Sequence, residues 1–469
     1  MQTTFKMLID GTLRDGALAL DVINPATGHV FVTVPRADQN QALAAIAAAK
    51  KAYPNWSAKT YAERATHVAA LADAIEGRID DFAPMLTREQ GKPLGDARFE
   101  MEWVVGQLRW HAAQVLESKV LRENAAEKII EQRSPYGVVA AIAPWNYPVW
   151  ILIAKVGAAL MTGNTVIAKP APTTPVTTLM LGEVAAGIFP AGVFQTLVDE
   201  NDLGPVLTSH PDVDYVSFTG STVTGKKVLS SSVDTLKRTT LELGGNDAAI
   251  ILDDADIKTV AANVYRAAFL NAGQICFAAK RIYVPNAMRD ALVAEMVVLA
   301  KAERVGDGLD KTTTMGPVQN KAQYDKVLAF IADARASGTV VTGGQDIAGD
   351  GYFIAPTIIT GLADDARLVA EEQFGPVVPI LGYDDLDTLI TRANDTELGL
   401  GGSIWTSDPE RGIAVASRIE SGTVWVNTHV ALPFDVPFGG AKQSGLGQQG
   451  GIEGMKDFTQ VRIVNAVLA

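Results

Sequence analysis

One cysteine, Cys276, stands in a chain of 469 residues, directly after Gly273-Gln274-Ile275 and a helical pattern broken at Asn271-Ala272-Gly273. A thiolate attacks carbonyl carbon, but a lone cysteine also serves as a small buried hydrophobe, and this segment alone leaves both readings open. Further candidates follow short apolar runs. Asn146, in Pro144-Trp145-Asn146-Tyr147-Pro148, offers an amide donor suited to an oxyanion or to the turn itself. Glu242 lies one residue from Gly244-Gly245, placed to act as a base or as an ion-paired surface carboxylate. Lys169, held extended by Pro170, suits a ribose or phosphate contact, or plain solvent exposure. The run Thr219-Gly220-Ser221-Thr222-Val223-Thr224-Gly225-Lys226 lets backbone and a helix N-terminus approach a pyrophosphate. It is neither the GxGxxG nor the Walker pattern, since Lys227 stands where Ser or Thr would follow.

These residues need a sheet to position them. From Gly137 onward, apolar runs at Gly137–Ala143, Thr165–Ala168, Val193–Leu197, Tyr215–Phe218 and Thr239–Leu243 alternate with helical segments, the pattern of βαβ units in a parallel sheet. The runs show little alternation, as strands covered on both faces should. Ligands bind such sheets at the carboxyl ends of the strands, where Asn146, Lys169, the Thr219–Lys226 run and Glu242 fall. A second α/β unit begins near Asp247, with strands Ala248–Leu252 and Arg281–Val284 and helices Ile257–Ala272 and Ala287–Ala302. Before the first sheet, Asp38 with Gln41 and Thr60 with Glu63 have capping-box spacing for two helices. A longer helix is expected from Gly95 to Leu116, with Trp103 and Trp110 read as packing core on a second apolar face. Polar Ser118–Ser134 and the strand-like Val461–Leu468 are expected to pair with each other or with another subunit, because an unpaired edge invites association.

Composition narrows the function. Apolar residues make up 48% and charged residues 20%, an ordinary globular balance, and the length implies about two to three domains at roughly 150 residues each. A formal charge of −13 with no basic run argues against a nucleic-acid partner. Pro144, Asn146, Pro148 and Lys155 interrupt the most apolar region, Gly137 to Met161, and the N-terminus lacks a signal-like apolar stretch, so no membrane span or leader is expected. A single cysteine excludes an intramolecular disulfide, and five scattered histidines (His29, His67, His111, His210, His429) lack metal-ligand spacing, so no metal is expected and the cytoplasm is the default compartment.

Taken together, PWNYP at Pro144, KP at Lys169, FTGST at Phe218, LELGGN at Leu241, GQIC at Gly273, EEQFGPV at Glu371 and PFGGAKQSGLG at Pro437 resemble the aldehyde dehydrogenase superfamily, in its motif order, from about Ile23 to the C-terminus. The resemblance implies a Rossmann-like NAD(P)-binding domain at 1–116 and 136–245. It also implies an α/β catalytic domain at 246–454 and a small β oligomerisation element at 117–135 and 455–469. Cys276 would be the nucleophile, Asn146 and the Cys276 backbone N–H the oxyanion donors, Glu242 the base for thioester hydrolysis, and Lys155 a proton relay. Lys169 would bind ribose, Ser221, with Gly220 and Gly225, the pyrophosphate, and Glu372 the nicotinamide ribose, with Phe374, Trp145 and Gly245 lining the same region. Many relatives that prefer NAD carry glutamate where this chain has Pro172, so the cofactor is expected to be NAD or NADP. The aldehyde tunnel would be lined by Tyr147, Ile151, Ile275, Phe277, His429, Leu432 and Phe438. This lining is largely apolar, which favours an uncharged aliphatic or aromatic aldehyde over a semialdehyde bearing a second carboxylate. Glu242 argues against a CoA-acylating relative, and the presence of Cys276, Glu242 and Asn146 against a non-enzymatic structural protein. A cysteine hydrolase would need an activating histidine that no local motif supplies. A homodimer or homotetramer is expected.

Overall fold

The computed structural model describes residues 5–468. Its first large sheet has six strands, in the order Gly445–Leu446, Arg238–Glu242, Tyr215–Thr219, Val138–Ile142, Thr165–Lys169 and Phe194–Thr196. All pairs are parallel except the edge pair made by Gly445–Leu446. The strands Val138–Ile142, Thr165–Lys169 and Tyr215–Thr219 are buried at every position, which explains their unalternating apolar sequence. The expected strands agree within a residue or so at each end, consistent with the usual uncertainty of element boundaries.

Seven strands form the second sheet: Thr339–Thr342, Thr357–Thr360, Val377–Tyr383, Ala279–Pro285, Asp247–Ile251, Gly401–Trp405 and Thr423–Val426. Only its first pair is antiparallel. The strands Ala279–Pro285 and Asp247–Ile251 and the helix Asn286–Ala302 lie where the sequence puts them. The helix from Ile257 departs from expectation. It stops at Phe269, and a short 3-10 turn, Leu270–Gly273, carries Asn271 and Ala272 in the left-handed region at φ 54°. That turn redirects the chain toward Cys276, and the Asn271 amide, donating to the carbonyls of Asn146 (3.1 Å) and Gln274 (3.4 Å), stabilises it.

The third sheet settles the pairing of the polar segment with the C-terminal strand. Thr459–Val467 runs antiparallel to Glu127–Pro135, which in turn pairs with Lys119–Glu123. Among the described residues no helix is long and apolar enough to cross a membrane.

Four helices, Gln39–Ser57, Tyr61–Glu76, Ile79–Gln90 and Leu94–Ala112, contribute to the core of the first sheet. Both expected capping boxes form, at Asp38 with Gln41 and at Thr60 with Glu63. The longest expected helix ends at Ala112, short of Leu116. Two buried glutamates from these helices cap others. Glu89 accepts from the amides of Val176 (2.7 Å) and Thr177 (3.0 Å), while Glu100 accepts from those of Val149 and Trp150 (both 3.1 Å). Carboxylates suit these helix starts because unpaired amides and the helix dipole converge there.

Glu100 also pairs with Lys92 at 2.5 Å, both side chains being wholly buried. Removing one partner of such a pair strands a charge in a low-dielectric interior. Glu100→Ala should therefore lower stability by about 3–5 kcal/mol, and a thermal shift within a degree or two of wild type would show that the pair is not needed.

Candidate active site

The carboxyl ends of the first sheet's strands face the amino ends of the second sheet's strands across Cys276. The strand ending at Glu242 runs into Leu243-Gly244-Gly245, and the next strand, starting at Asp247, already belongs to the second sheet. This crossing needs both glycines. A Cβ on Gly244 would come within 2.4 Å of the Glu372 carboxylate, and one on Gly245 within 2.6 Å of the Cys276 carbonyl oxygen. Ser444 ties the turn down: its hydroxyl donates to the Gly244 carbonyl (2.6 Å) and accepts from the Gly399 amide (2.9 Å).

Asn146 is buried, and its side-chain amide donates to the Gln274 carbonyl at 3.0 Å, two residues before the thiol. Its own main-chain carbonyl accepts from Lys92 Nζ (3.0 Å) and Asn271 Nδ2 (3.1 Å). Cys276 is half-buried and free. Desolvation pushes its thiol up to about 12; the Lys280 ammonium opposes that rise, while Glu372, Glu242 and Asp247 add to it. Lys280 Nζ donates at 2.7 Å to the carbonyls of both Ile275 and Cys276 and approaches Glu372 at 3.3 Å. Sequence reasoning missed this lysine, four residues past the thiol, because nothing in its spacing shows that the strand turns it back under the loop.

Glu242 is 4% exposed, and neither carboxylate oxygen has a hydrogen-bond partner. Burial drives its pKa well above the usual carboxylate range, against the pull of the Lys155 charge. Lys155, wholly buried, donates to Ser217 Oγ at 3.1 Å, and desolvation brings it down to about 7. The two groups thus influence one another, with proton affinities displaced in opposite directions from their ordinary values.

Two hollows meet at the thiol. A cavity of about 710 Å³ is lined by Tyr147, Ile151, Ile275, Phe277, Leu432 and Phe438, together with Asn146, Glu242 and Cys276. Trp103, Gln107, Trp150, Ala154, Phe434 and Gln449 add to the lining. Trp103 is thus a correction to the core reading: it is only half-buried and packs on Phe434 with ring centroids 4.5 Å apart, a partner more than three hundred residues away that no helical periodicity reveals. His429 is a second correction, since it does not line the cavity. Its ring lies behind Phe277, bonded to the Phe277 carbonyl and to Ser403 Oγ, both at 2.8 Å.

On the other side a cleft of about 630 Å³ is lined by Trp145, Gly220, Ser221, Glu372 and Phe374, again with Asn146 and Cys276. Trp145 and Phe374 meet edge to face at 5.3 Å. Ser221 caps the helix Thr222–Ser232, and Gly220 before it leaves room for the Phe218 ring, which a Cβ would meet at 2.5 Å. The other expected cofactor residues lie outside this lining. Gly225 packs where a Cβ would meet Leu243 at 2.4 Å, Gly245 lies against the Cys276 backbone, Pro172 is half-buried beyond the next strand end, and Lys169 is buried there in an ion pair with Asp199. The turn at Gly220, the capped helix and the carboxylate of Glu372 fit a dinucleotide.

A parallel-sheet cleft for a dinucleotide, joined at a thiol to an apolar cavity, defines a nicotinamide-dependent oxidoreductase acting on carbonyl substrates. The chain belongs to the aldehyde dehydrogenase family, whose model matches residues 14–464. It is 38% identical over 465 residues to an aldehyde dehydrogenase of a Fusarium species, covering 98% of each chain. Among solved structures, an NAD+ complex of aldehyde dehydrogenase from Bacillus cereus superposes with a TM-score of 0.97 at 34% identity, covering 100% of this chain and 97% of that one. Betaine aldehyde dehydrogenase from Staphylococcus aureus, also in complex with NAD+, gives 0.96 at 31% identity, covering 100% and 95%. The protein is an NAD(P)-dependent aldehyde dehydrogenase.

Adding one methyl group at Gly245 would push the Cys276 carbonyl away from Lys280. Because displacing a reacting group by about 1 Å can cost about a hundredfold, Gly245→Ala should cut kcat/KM at least about tenfold while the circular dichroism spectrum stays unchanged; wild-type turnover would show that the loop absorbs the extra carbon.

Proposed function

We propose that this enzyme oxidises an uncharged aromatic or aliphatic aldehyde to its carboxylic acid through a thiohemiacetal and then a thioester on Cys276. The observation that carries this reading is that Cys276, Asn146 and Thr219 line both the cavity and the cleft, so the thiol has the substrate on one side and the cofactor on the other. The Cys276 thiolate adds to the aldehyde carbon, and the oxygen, now an oxyanion, is held by the Asn146 amide and the Cys276 backbone N–H. NAD or NADP, bound in the cleft, supplies the acceptor for the hydride that leaves this carbon. Glu242 then takes a proton from water as the hydroxide attacks the thioester carbonyl, and collapse releases the acid and the thiolate. Lys155, near neutrality in its proton affinity, passes that proton onward from Glu242.

The cavity supports the substrate class. Its lining is dominated by aromatic and aliphatic side chains, and its one charged member is Glu242. A second carboxylate on the substrate would find no cation there and one anion, which disfavours a semialdehyde that is also an acid. A retained base likewise disfavours transfer to CoA. On the cofactor side, Ser221 and Gly220 suit the pyrophosphate, Glu372 and Phe374 the nicotinamide half, and Lys169 the adenosine ribose.

We assign residues 1–116 and 136–245 to cofactor binding, 246–454 to catalysis, and 117–135 with 455–469 to assembly into a homodimer or homotetramer. The exposed Val461, Ile463 and Val467 on the last strand support that assembly role.

Cys276→Ala should bind cofactor and lose NAD(P)H production from every aldehyde, measured by absorbance; residual turnover above a thousandth of wild type would remove the thiol from the mechanism. For Glu242→Gln the expected trace is a burst of NAD(P)H close to one per active site, then a steady state slowed about a hundredfold or more. A steady-state rate equal to wild type would exclude Glu242 as the hydrolytic base.

A further inference from the structure

We propose that Asp199 makes this enzyme select NAD over NADP, supplying from a different strand end the carboxylate that Pro172 lacks. The inference rests on the reading of Lys169 as the contact to the adenosine ribose. Lys169 ends one strand of the first sheet, and the neighbouring strand, Phe194–Thr196, leads into Leu197-Val198-Asp199. Asp199 Oδ1 lies 2.6 Å from Lys169 Nζ, with the two side chains 0% and 4% exposed. The other oxygen, Oδ2, accepts from the Leu203 amide at 3.1 Å, so the carboxylate is held from behind by the following turn. Lys169 Nζ donates in addition to the Pro170 carbonyl at 3.2 Å.

The surroundings reinforce the negative charge. Glu200 and Asp202 follow in the same loop and pair with Arg36 at 2.7 and 2.8 Å. Three carboxylates therefore stand against the two cations, Lys169 and Arg36, and both cations are already paired. A ribose diol suits such a corner: a hydroxyl accepts from the ammonium and donates to a nearby oxygen. A 2′-phosphate brings roughly two negative charges, meets a lysine whose charge is already neutralised, and faces the field of Asp199 across a poorly screened interior. Asp199 acts through Lys169 rather than by direct exposure, which makes it a positioning and selectivity residue.

The test is titration of the full-length wild-type enzyme and of Asp199→Asn with NAD and with NADP separately, following quenching of tryptophan fluorescence, so that no substrate is required. Asparagine keeps the acceptor for the Leu203 amide and removes only the charge; Asp199→Ala serves as the second variant. Like-charge opposition of this kind is worth about tenfold or more in affinity. Wild type should bind NAD at least about tenfold more tightly than NADP, and Asp199→Asn should narrow that ratio at least about fivefold by tightening NADP. Equal wild-type affinities, or a variant that weakens both nucleotides alike, would overturn the proposal and leave the dehydrogenase reading standing. Failure of the wild type to bind either nucleotide would overturn the cofactor site itself, and the proposal with it.

Discussion

The main-chain carbonyl of Asn146 is the joint on which the site turns. It accepts from Lys92 on one side and from Asn271 on the other, while the Asn146 side chain reaches the Gln274 carbonyl. Three segments far apart in sequence are thereby locked together: the loop after the third helix, the end of a strand in the first sheet, and the loop that carries the thiol. Each of these hydrogen bonds is buried, so none can be exchanged cheaply for water. If the joint opened, the cavity and the cleft would no longer meet at a common set of atoms. Buried, fully bonded contacts of this kind hold the thiol and the Asn146 amide in a fixed geometry.

Around that joint the protein holds charges in places that water would otherwise stabilise. Glu242, Lys155, Lys280, Lys92 and Glu100 are all buried, and large unalternating strands supply the apolar frame that keeps water away from them. Burial raises the carboxyl of Glu242 well above the usual carboxylate range and lowers the ammonium of Lys155 to about 7. At about 7 the Lys155 ammonium can exchange a proton near physiological pH, which it would not do on a surface. Lys280 opposes the same effect at Cys276, but desolvation prevails and holds the thiol up at about 12.

Much of this arrangement is legible from local pattern. Asp38 with Gln41 and Thr60 with Glu63 announce helices because a capping box is complete within four residues. The strands of the first sheet show themselves as short β-branched runs because both faces are covered. Cys276, Asn146 and Glu242 stand out because each follows an element end beside glycine, proline or a broken helix. The misreadings share another cause. Trp103 looks like core since helical spacing cannot tell a buried face from one lining a cavity, and His429 leaves the lining since Ser403 and the Phe277 carbonyl claim its ring. The helix predicted to Ala272 ends early because the tertiary bonds of Asn271 outweigh the helical preference of the residues before it.

Sequence alone determined the α/β class, the strands, the family resemblance and the motif residues, because each is written in neighbours a few positions apart and in the period of the elements they form. Only the tertiary structure decided which of those residues share a volume. It placed Lys280 beneath the thiol, Trp103 against Phe434 in the cavity wall, and Asp199 against Lys169, because such contacts depend on how distant elements lie beside one another. A carboxylate thirty residues beyond its lysine carries no local signal; the parallel register of two adjacent strands is what brings the pair to 2.6 Å.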